Sequence, residues 1–210
     1  MNNGKIESFD KHYAEYDEWF VENQHIYKSE LDALKKLIPC KQSGLEVGVG
    51  SGRFASLLGI QTGVEPSENM AEIAKRNGIE VLKGTAEKLP IKKSTFDFVL
   101  MVTVLCFLDD VVESLSEAHR VLREKGILIV SIIDKNSILG SLYEKEKDND
   151  KFFKNAVFYS TDEVIQLLKK AGFKILKTNQ TVFAPSLKSK EKVKEGYGEG
   201  CFVSIKAEKI

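Results

Sequence analysis

The sequence lacks the features that mark membrane, secreted and nucleic-acid-binding proteins. It contains no apolar run of about 18 residues, so no transmembrane helix is predicted. Residues 1–5 carry no apolar secretory segment, which predicts a cytoplasmic protein. Thirty-one basic residues balance thirty-one acidic ones, so no net charge attracts a nucleic acid. Cysteine is also scarce: Cys40, Cys106 and Cys201 lie far apart, which favours neither a disulfide framework nor a metal site.

What the chain does contain is enough apolar sequence for one core. Its 210 residues, 42% of them hydrophobic, predict a single domain. Strand-like and helix-like patterns alternate up to residue 133, which favours an α/β fold with a doubly wound, mostly parallel sheet and helices on both faces. The predicted strands are 44–47, 63–65, 80–82, 96–102, 126–133, 174–182 and 202–208. The last two are close in sequence and favour a hairpin.

The glycine-rich segment after the first strand is the most informative local signal. An apolar strand runs into Gly48, Gly50 and Gly52, an arrangement typical of a backbone floor beneath a nucleoside-containing ligand. Arg53 stands where the dinucleotide fingerprint has its third glycine, which argues against NAD. Glu65 ends the next strand, at about the distance from the turn where an acid binds ribose hydroxyls. We therefore predict Glu65 as a ribose ligand, and its charge disfavours the 2′-phosphate of NADP.

With these residues the chain resembles the class I S-adenosylmethionine-dependent methyltransferases. The resemblance is to their small-molecule branch, which includes the ubiquinone/menaquinone C-methyltransferases, and it extends over nearly the whole chain. The segments similar to that family's motifs are 46–52, 63–70, 84–90, 94–97, 122–126 and 167–173. The resemblance implies a Rossmann-like sheet of seven strands with the last one antiparallel. It also implies S-adenosylmethionine as cofactor, with S-adenosylhomocysteine as its product, and a small-molecule acceptor.

Further cofactor-binding residues follow from the resemblance alone. Glu46 is expected near the cofactor's amino group, although an acid that orders the loop is equally compatible with its position. Thr85 stands where the family usually has an aspartate at the adenine, and a threonine hydroxyl can accept the same hydrogen bond. The other residues that the resemblance places at the cofactor are Pro66, Ala86, Glu87, Val102 and Thr103.

An aromatic stripe near the N-terminus predicts a helix that closes over the site. Its members are Phe9, Tyr13, Tyr16, Trp19 and Phe20. The spacing indicates one helix face, and core packing accounts best for the two phenylalanines. Tyr13, Tyr16 and Trp19 keep polar tips that suit a partly wet pocket, so they are predicted to line the substrate pocket. Cys106 is a further candidate for that pocket, because it replaces a histidine that the family often has beyond the fourth strand.

The sequence shows no cluster of catalytic residues, and the family's reaction requires few chemically special side chains. Correct positioning alone can lower a reaction barrier by about 7–11 kcal/mol. His12 flanks the aromatic stripe and is the one weak candidate for a general base.

We expect four regions: a helical cap at 1–39, a cofactor-binding core at 40–133, a lid or acceptor-side insertion at 134–160, and a C-terminal helix with a strand hairpin at 161–210. The sequence thus favours an S-adenosylmethionine-dependent enzyme that methylates a small molecule by in-line displacement. Two alternatives stay open, an NAD-dependent oxidoreductase and a non-catalytic cofactor-binding protein of the same fold. No exposed heptad pattern predicts an oligomeric state.

Overall fold

The computed structural model describes residues 3–40 and 42–210, and its strands form a single sheet. The strands are β1 Gly44–Val47, β2 Thr62–Glu65, β3 Glu80–Lys83, β4 Phe96–Val102, β5 Leu122–Ile133, β6 Phe173–Thr181, β7 Lys194–Glu195 and β8 Phe202–Lys209. Their order is β3-β2-β1-β4-β5-β8-β6-β7; the first five are parallel, and β8 is antiparallel to both β5 and β6. The predicted α/β sheet is confirmed. It has eight strands where seven were predicted, because the two-residue β7 adds to its edge.

Helices cover both faces of this sheet. They are α1 Asn3–Lys11, α2 Tyr13–Glu22, α3 Gln24–Lys35, α4 Arg53–Leu58, α5 Glu68–Arg76, α6 Val111–Val121, α7 Ile138–Glu146 and α8 Thr161–Lys170. Four of them begin after a capping side chain: Ser67, Asp110, Ser137 and Ser160 each accept a hydrogen bond from a backbone N–H of the first turn. No helix in the described part of the chain is long and apolar enough to cross a membrane.

The central strand β4 is buried on both sides, which explains its unbroken apolar sequence. Val99 and Met101 pack with α6 and α8, whereas Phe98 and Leu100 pack with α3 and α4. Alternate residues of a strand point to opposite faces, so a strand covered on both sides must be apolar throughout. Because β1 pairs in parallel with both β2 and β4, the carboxyl ends of these three strands meet at one edge of the sheet.

The N-terminal segment departs from the predicted single helix. A turn at His12 divides it into α1 and α2, and α1 packs against α5. The Asp10 carboxylate accepts hydrogen bonds from Ser67 Oγ at 2.7 Å and from the Asn69 backbone N–H at 3.0 Å. The spacing of the aromatic residues could not predict this turn. These residues continue to recur every three or four positions on both sides of it.

The insertion after β5 contains a helix. This helix is α7, and its N-cap Ser137 accepts a hydrogen bond from the Gly140 backbone N–H at 3.0 Å. Asp134 Oδ2 accepts hydrogen bonds from the Thr161 backbone N–H at 3.0 Å and its Oγ1 at 2.6 Å. The start of the insertion is thereby joined to the first residue of α8, which follows its end.

Candidate active site

The glycine turn lies between β1 and α4, at the carboxyl edge of the sheet. Gly48, Gly50 and Gly52 all have positive φ, between 52° and 78°. A Cβ atom on Gly48 would lie 2.6 Å from Val104 Cγ2, so no side chain fits there. Gly48 and Gly50 line a small cavity. Gly52 lies outside its lining, and a Cβ there would be 3.1 Å from the backbone of Ala74, so this glycine serves the packing of α4 against α5.

Glu65 connects this turn to the start of α5. One carboxylate oxygen accepts a hydrogen bond from the Gly50 backbone N–H at 2.9 Å, and the other accepts one from the Ser67 backbone N–H at 2.9 Å. Burial raises the pKa of the Glu65 carboxyl to about 7, although both hydrogen bonds act in the opposite direction. Glu65 and the adjacent Pro66 line the small cavity. The predicted ribose ligand therefore also orders the glycine turn.

The small cavity is only about 60 Å³ in volume. Ligand pockets are usually about 300 Å³ or larger, so this space does not hold a nucleoside. Ile6 and Phe9 of α1 and Tyr16 of α2 form the wall opposite the glycines. The N-terminal helices thus close the volume above the glycine turn.

A second cavity of about 360 Å³ adjoins the first. Its wall is mainly aromatic and comes from α1 and α2, from the segment after β4, and from the insertion. The aromatic side chains that line it are Phe9, Tyr16, Trp19, Phe20, Phe54, Phe107, Tyr143, Phe152, Phe153, Phe158 and Tyr159. This volume and lining are typical of a site for a small organic molecule.

Four residues line both cavities and separate them: Phe9, Tyr16, Thr103 and Phe107. The Phe9 and Phe107 rings meet edge to face with their centroids 4.9 Å apart. Thr103 has a φ of 50°, an unfavourable conformation for a β-branched residue. Such strain often occurs at functional sites, and here it lies where the two cavities meet.

The remaining predicted cofactor residues lie around this edge without lining either cavity, except Val102, which lines the small one together with Thr103. The carboxylate of Glu46 is buried and hydrogen-bonds the Ala55 backbone, and its Oε2 has no hydrogen-bond partner among the described residues. Burial raises the pKa of Glu46 to about 8, assisted by the charge of Glu65. Thr85, Ala86 and Glu87 form the turn after β3. Glu87 hydrogen-bonds both Thr85 and the Asp109 backbone N–H.

The predicted substrate-pocket residues divide into two groups. Tyr16, Trp19 and Cys106 line the large cavity. Tyr13 is 37% exposed and belongs to neither lining. The weak general-base candidate His12 also lies outside both linings, with its Nδ1 atom 3.1 Å from Glu15 Oε1. Its catalytic role stays a prediction.

Glu30 is a buried acid of the large cavity that the sequence analysis missed. It lies on α3, is 5% exposed and lines the large cavity. Burial alone raises the pKa of its carboxyl to about 8. A signal was present, because Glu30 is four residues from both Ile26 and Leu34 and so shares their buried helix face. Among many acidic helix residues it resembled an ordinary surface carboxylate.

Three buried acids should make the protein less stable as the pH rises. Glu30, Glu46 and Glu65 have folded-state pKa values of about 8, 8 and 7, above the ordinary glutamate value. Their protonated forms therefore stabilise the fold at low pH, and this stabilisation is lost progressively as the pH rises from about 4.5 to 8. We expect the melting temperature to fall between pH 6 and pH 9 in thermal scans.

Glu30→Gln should reduce this fall, whereas Asp32→Asn on the same helix should retain it, because Asp32 faces Lys190 away from the cavity. Equal pH dependence in the wild type and Glu30→Gln would contradict the assignment.

Comparison with known proteins places this geometry among methyltransferases. Residues 45–130 match the family described as methyltransferase domain. A crystal structure from Thermotoga maritima, described as an S-adenosylmethionine-dependent methyltransferase and possible histamine N-methyltransferase, is 51% identical with a TM-score of 0.95, covering 98% of this chain and 100% of that one. An uncharacterized Methanocaldococcus jannaschii protein is 52% identical over 96% of this chain and 98% of its own length. The ubiquinone/menaquinone C-methyltransferase of Campylobacter jejuni is 29% identical over 54% of this chain and 58% of its own length.

Proposed function

Because this chain belongs to the class I S-adenosylmethionine-dependent methyltransferases, we propose that it methylates a small molecule bound in the large cavity. The observation that carries the proposal is the common wall of the two cavities. The small cavity lies at the glycine turn, and Phe9, Tyr16, Thr103 and Phe107 also face the larger aromatic one. Once Phe9 moves out of this wall, a methyl donor at the glycine turn and an acceptor in the large cavity would be next to each other with no side chain between the reacting atoms. The Thermotoga maritima relative, described as a possible histamine N-methyltransferase, is consistent with a small acceptor.

The residues at the glycine turn have the chemistry that S-adenosylmethionine needs. Gly48 and Gly50 offer bare backbone to the small cavity, and Glu65 offers a carboxylate for ribose hydroxyls. The buried Oε2 atom of Glu46 has no hydrogen-bond partner among the described residues and is an acceptor suited to an amino group. We assign the cofactor's ribose to Glu65 and its amino group to Glu46. The adenine-side roles of Pro66, Thr85, Ala86 and Glu87 stay proposals from the family resemblance.

The chemical step requires positioning more than proton transfer. S-adenosylmethionine supplies a methyl group already activated by a positively charged sulfur. The protein's part is to hold the acceptor in line with that group and to exclude water, and the aromatic wall suits both tasks. Since α1 closes the small cavity, Ile6 and Phe9 must move outward when the cofactor enters.

The test is calorimetric titration of the protein with S-adenosylhomocysteine and, separately, with NADH. We expect micromolar binding of the former and none of the latter. Binding of NADH alone would overturn the proposal in favour of an oxidoreductase. Transfer of labelled methyl groups to a panel of small amines, phenols and thiols then separates an enzyme from a non-catalytic binding protein, which would bind the cofactor without turnover.

A further inference from the structure

The carboxylate of Glu30 is a buried acid that the mechanism so far does not use. It lies on α3, is 5% exposed and faces the large cavity. No described residue donates a hydrogen bond to it or forms an ion pair with it, and burial is the one influence on its pKa. A buried carboxylate without a partner is unfavourable in a folded protein. Its position at the cavity indicates that the partner is a ligand.

The surroundings of Glu30 select the charge of that ligand. The negative charge of Glu30 contributes to raising the pKa of Tyr16 and of Tyr143, after the larger effect of their burial, so the carboxylate lies near both tyrosines of the cavity wall. Aromatic faces attract cations, and they do so most strongly when water is excluded. A carboxylate beside such rings favours a positively charged group over a neutral or negative one.

The lining contributed by α2 carries the same sign of charge. Glu15, Glu18 and Glu22 of α2 line the cavity, and the single cation of the cavity lining in the described chain, Lys151, is paired with Glu15. The whole chain has no net charge, so this acidic lining is a local property. Acidic clefts with apolar walls concentrate cations and accelerate their association.

We propose that the small molecule bound in the large cavity is an amine, and that its ammonium group binds the Glu30 carboxylate while its apolar body lies against the aromatic wall. This inference rests on the proposed function, because it names the class of acceptor for the same site. Glu30 is then a specificity-determining residue that selects amines over neutral molecules of the same shape. The acidic residues on α2 guide the amine to the cavity.

The experiment compares 2-phenylethylamine with its neutral counterpart 2-phenylethanol, both titrated into protein saturated with S-adenosylhomocysteine at pH 9, because the pKa of about 8 of the Glu30 carboxyl leaves it ionised there. We expect the amine to bind at least tenfold more tightly than the alcohol. Glu30→Gln, which keeps the size of the side chain, should remove this preference by weakening the binding of the amine. Asp32→Asn is the matched control, because it removes a carboxylate from the same helix outside the cavity and should retain the preference.

Equal binding of the two compounds to the wild type would overturn the inference, as would an amine preference that survives in Glu30→Gln. Preference for the alcohol would also overturn it, because Glu30 would then act as a protonated donor to a neutral ligand. The comparison in the wild type can overturn the inference even if Glu30→Gln does not fold. Failure of S-adenosylhomocysteine to bind would contradict the proposed function itself, so the two failures are distinguishable.

Discussion

Replacing Glu65 by alanine should lower the affinity for S-adenosylhomocysteine by about tenfold to over a hundredfold. A hydrogen bond to a charged group contributes about 1.5–3 kcal/mol, and the proposed ribose contact involves such bonds. The substitution also removes the acceptor of the Gly50 and Ser67 backbone N–H groups, so the glycine turn loses its connection to α5. Calorimetric titration of the wild type and the variant measures the difference.

Two further variants separate ribose binding from general damage to the fold. Glu68→Gln removes a carboxylate three residues further along, where it is exposed and paired with Lys83, and should bind as the wild type does. Glu65→Gln leaves one of the two backbone N–H groups without an acceptor and should weaken binding by at least tenfold. Unchanged affinity in Glu65→Ala would show that the carboxylate does not contact the cofactor.

Deletion of residues 1–22 should abolish methyl transfer while leaving a folded sheet. This segment supplies Phe9 and Tyr16, which form half of the common wall between the cavities, and Trp19 of the large cavity. None of the strands lies within it. Circular dichroism would report the sheet, and labelled S-adenosylmethionine would report transfer to any acceptor that the full chain methylates. A fully active truncation would contradict the idea that α1 and α2 close the site.

A point substitution tests the same idea with less disturbance, since the deletion also removes Phe20, which packs on Tyr27 with a centroid distance of 5.1 Å. Tyr16→Ala opens the wall between the cavities and should lower transfer by at least tenfold. Val21→Ala alters a side chain of the same helix that is 62% exposed, and it should be as active as the wild type. Equal activity of the two variants would remove Tyr16 from the site.

Local rules account for the predicted residues that line the small cavity together. Gly48, Gly50 and Glu65 meet at one cavity because a glycine turn after β1 and an acid at the end of β2 must adjoin in a parallel sheet. The capping residues Ser67 and Ser160 were also predictable, because an N-cap depends on residues within one helical turn. These features depend on short segments and on the alternation of strands with helices.

Features that depend on distant segments were not predictable in the same way. Gly52 belongs to the same motif as Gly48, yet only the position of Ala74 on α5 shows that it serves packing. Tyr13 and Tyr16 have the same chemistry, and the direction in which α2 meets the sheet decides that Tyr16 lines the cavities while Tyr13 faces outward. Helical spacing gives relative positions around one helix and does not give the identity of its neighbours.

The sequence by itself determined the sheet, the glycine turn, the acid that follows it and the methyltransferase family, since these are set by local periodicity and by short motifs. Only the tertiary structure decided which residues enclose the large cavity. The aromatic residues of the insertion have no regular spacing, and they form a wall only because the folded insertion brings them to the same cavity as α1 and α2. Glu30 differs from an ordinary surface acid only through burial, and burial is a property of three-dimensional packing among segments that are far apart along the chain.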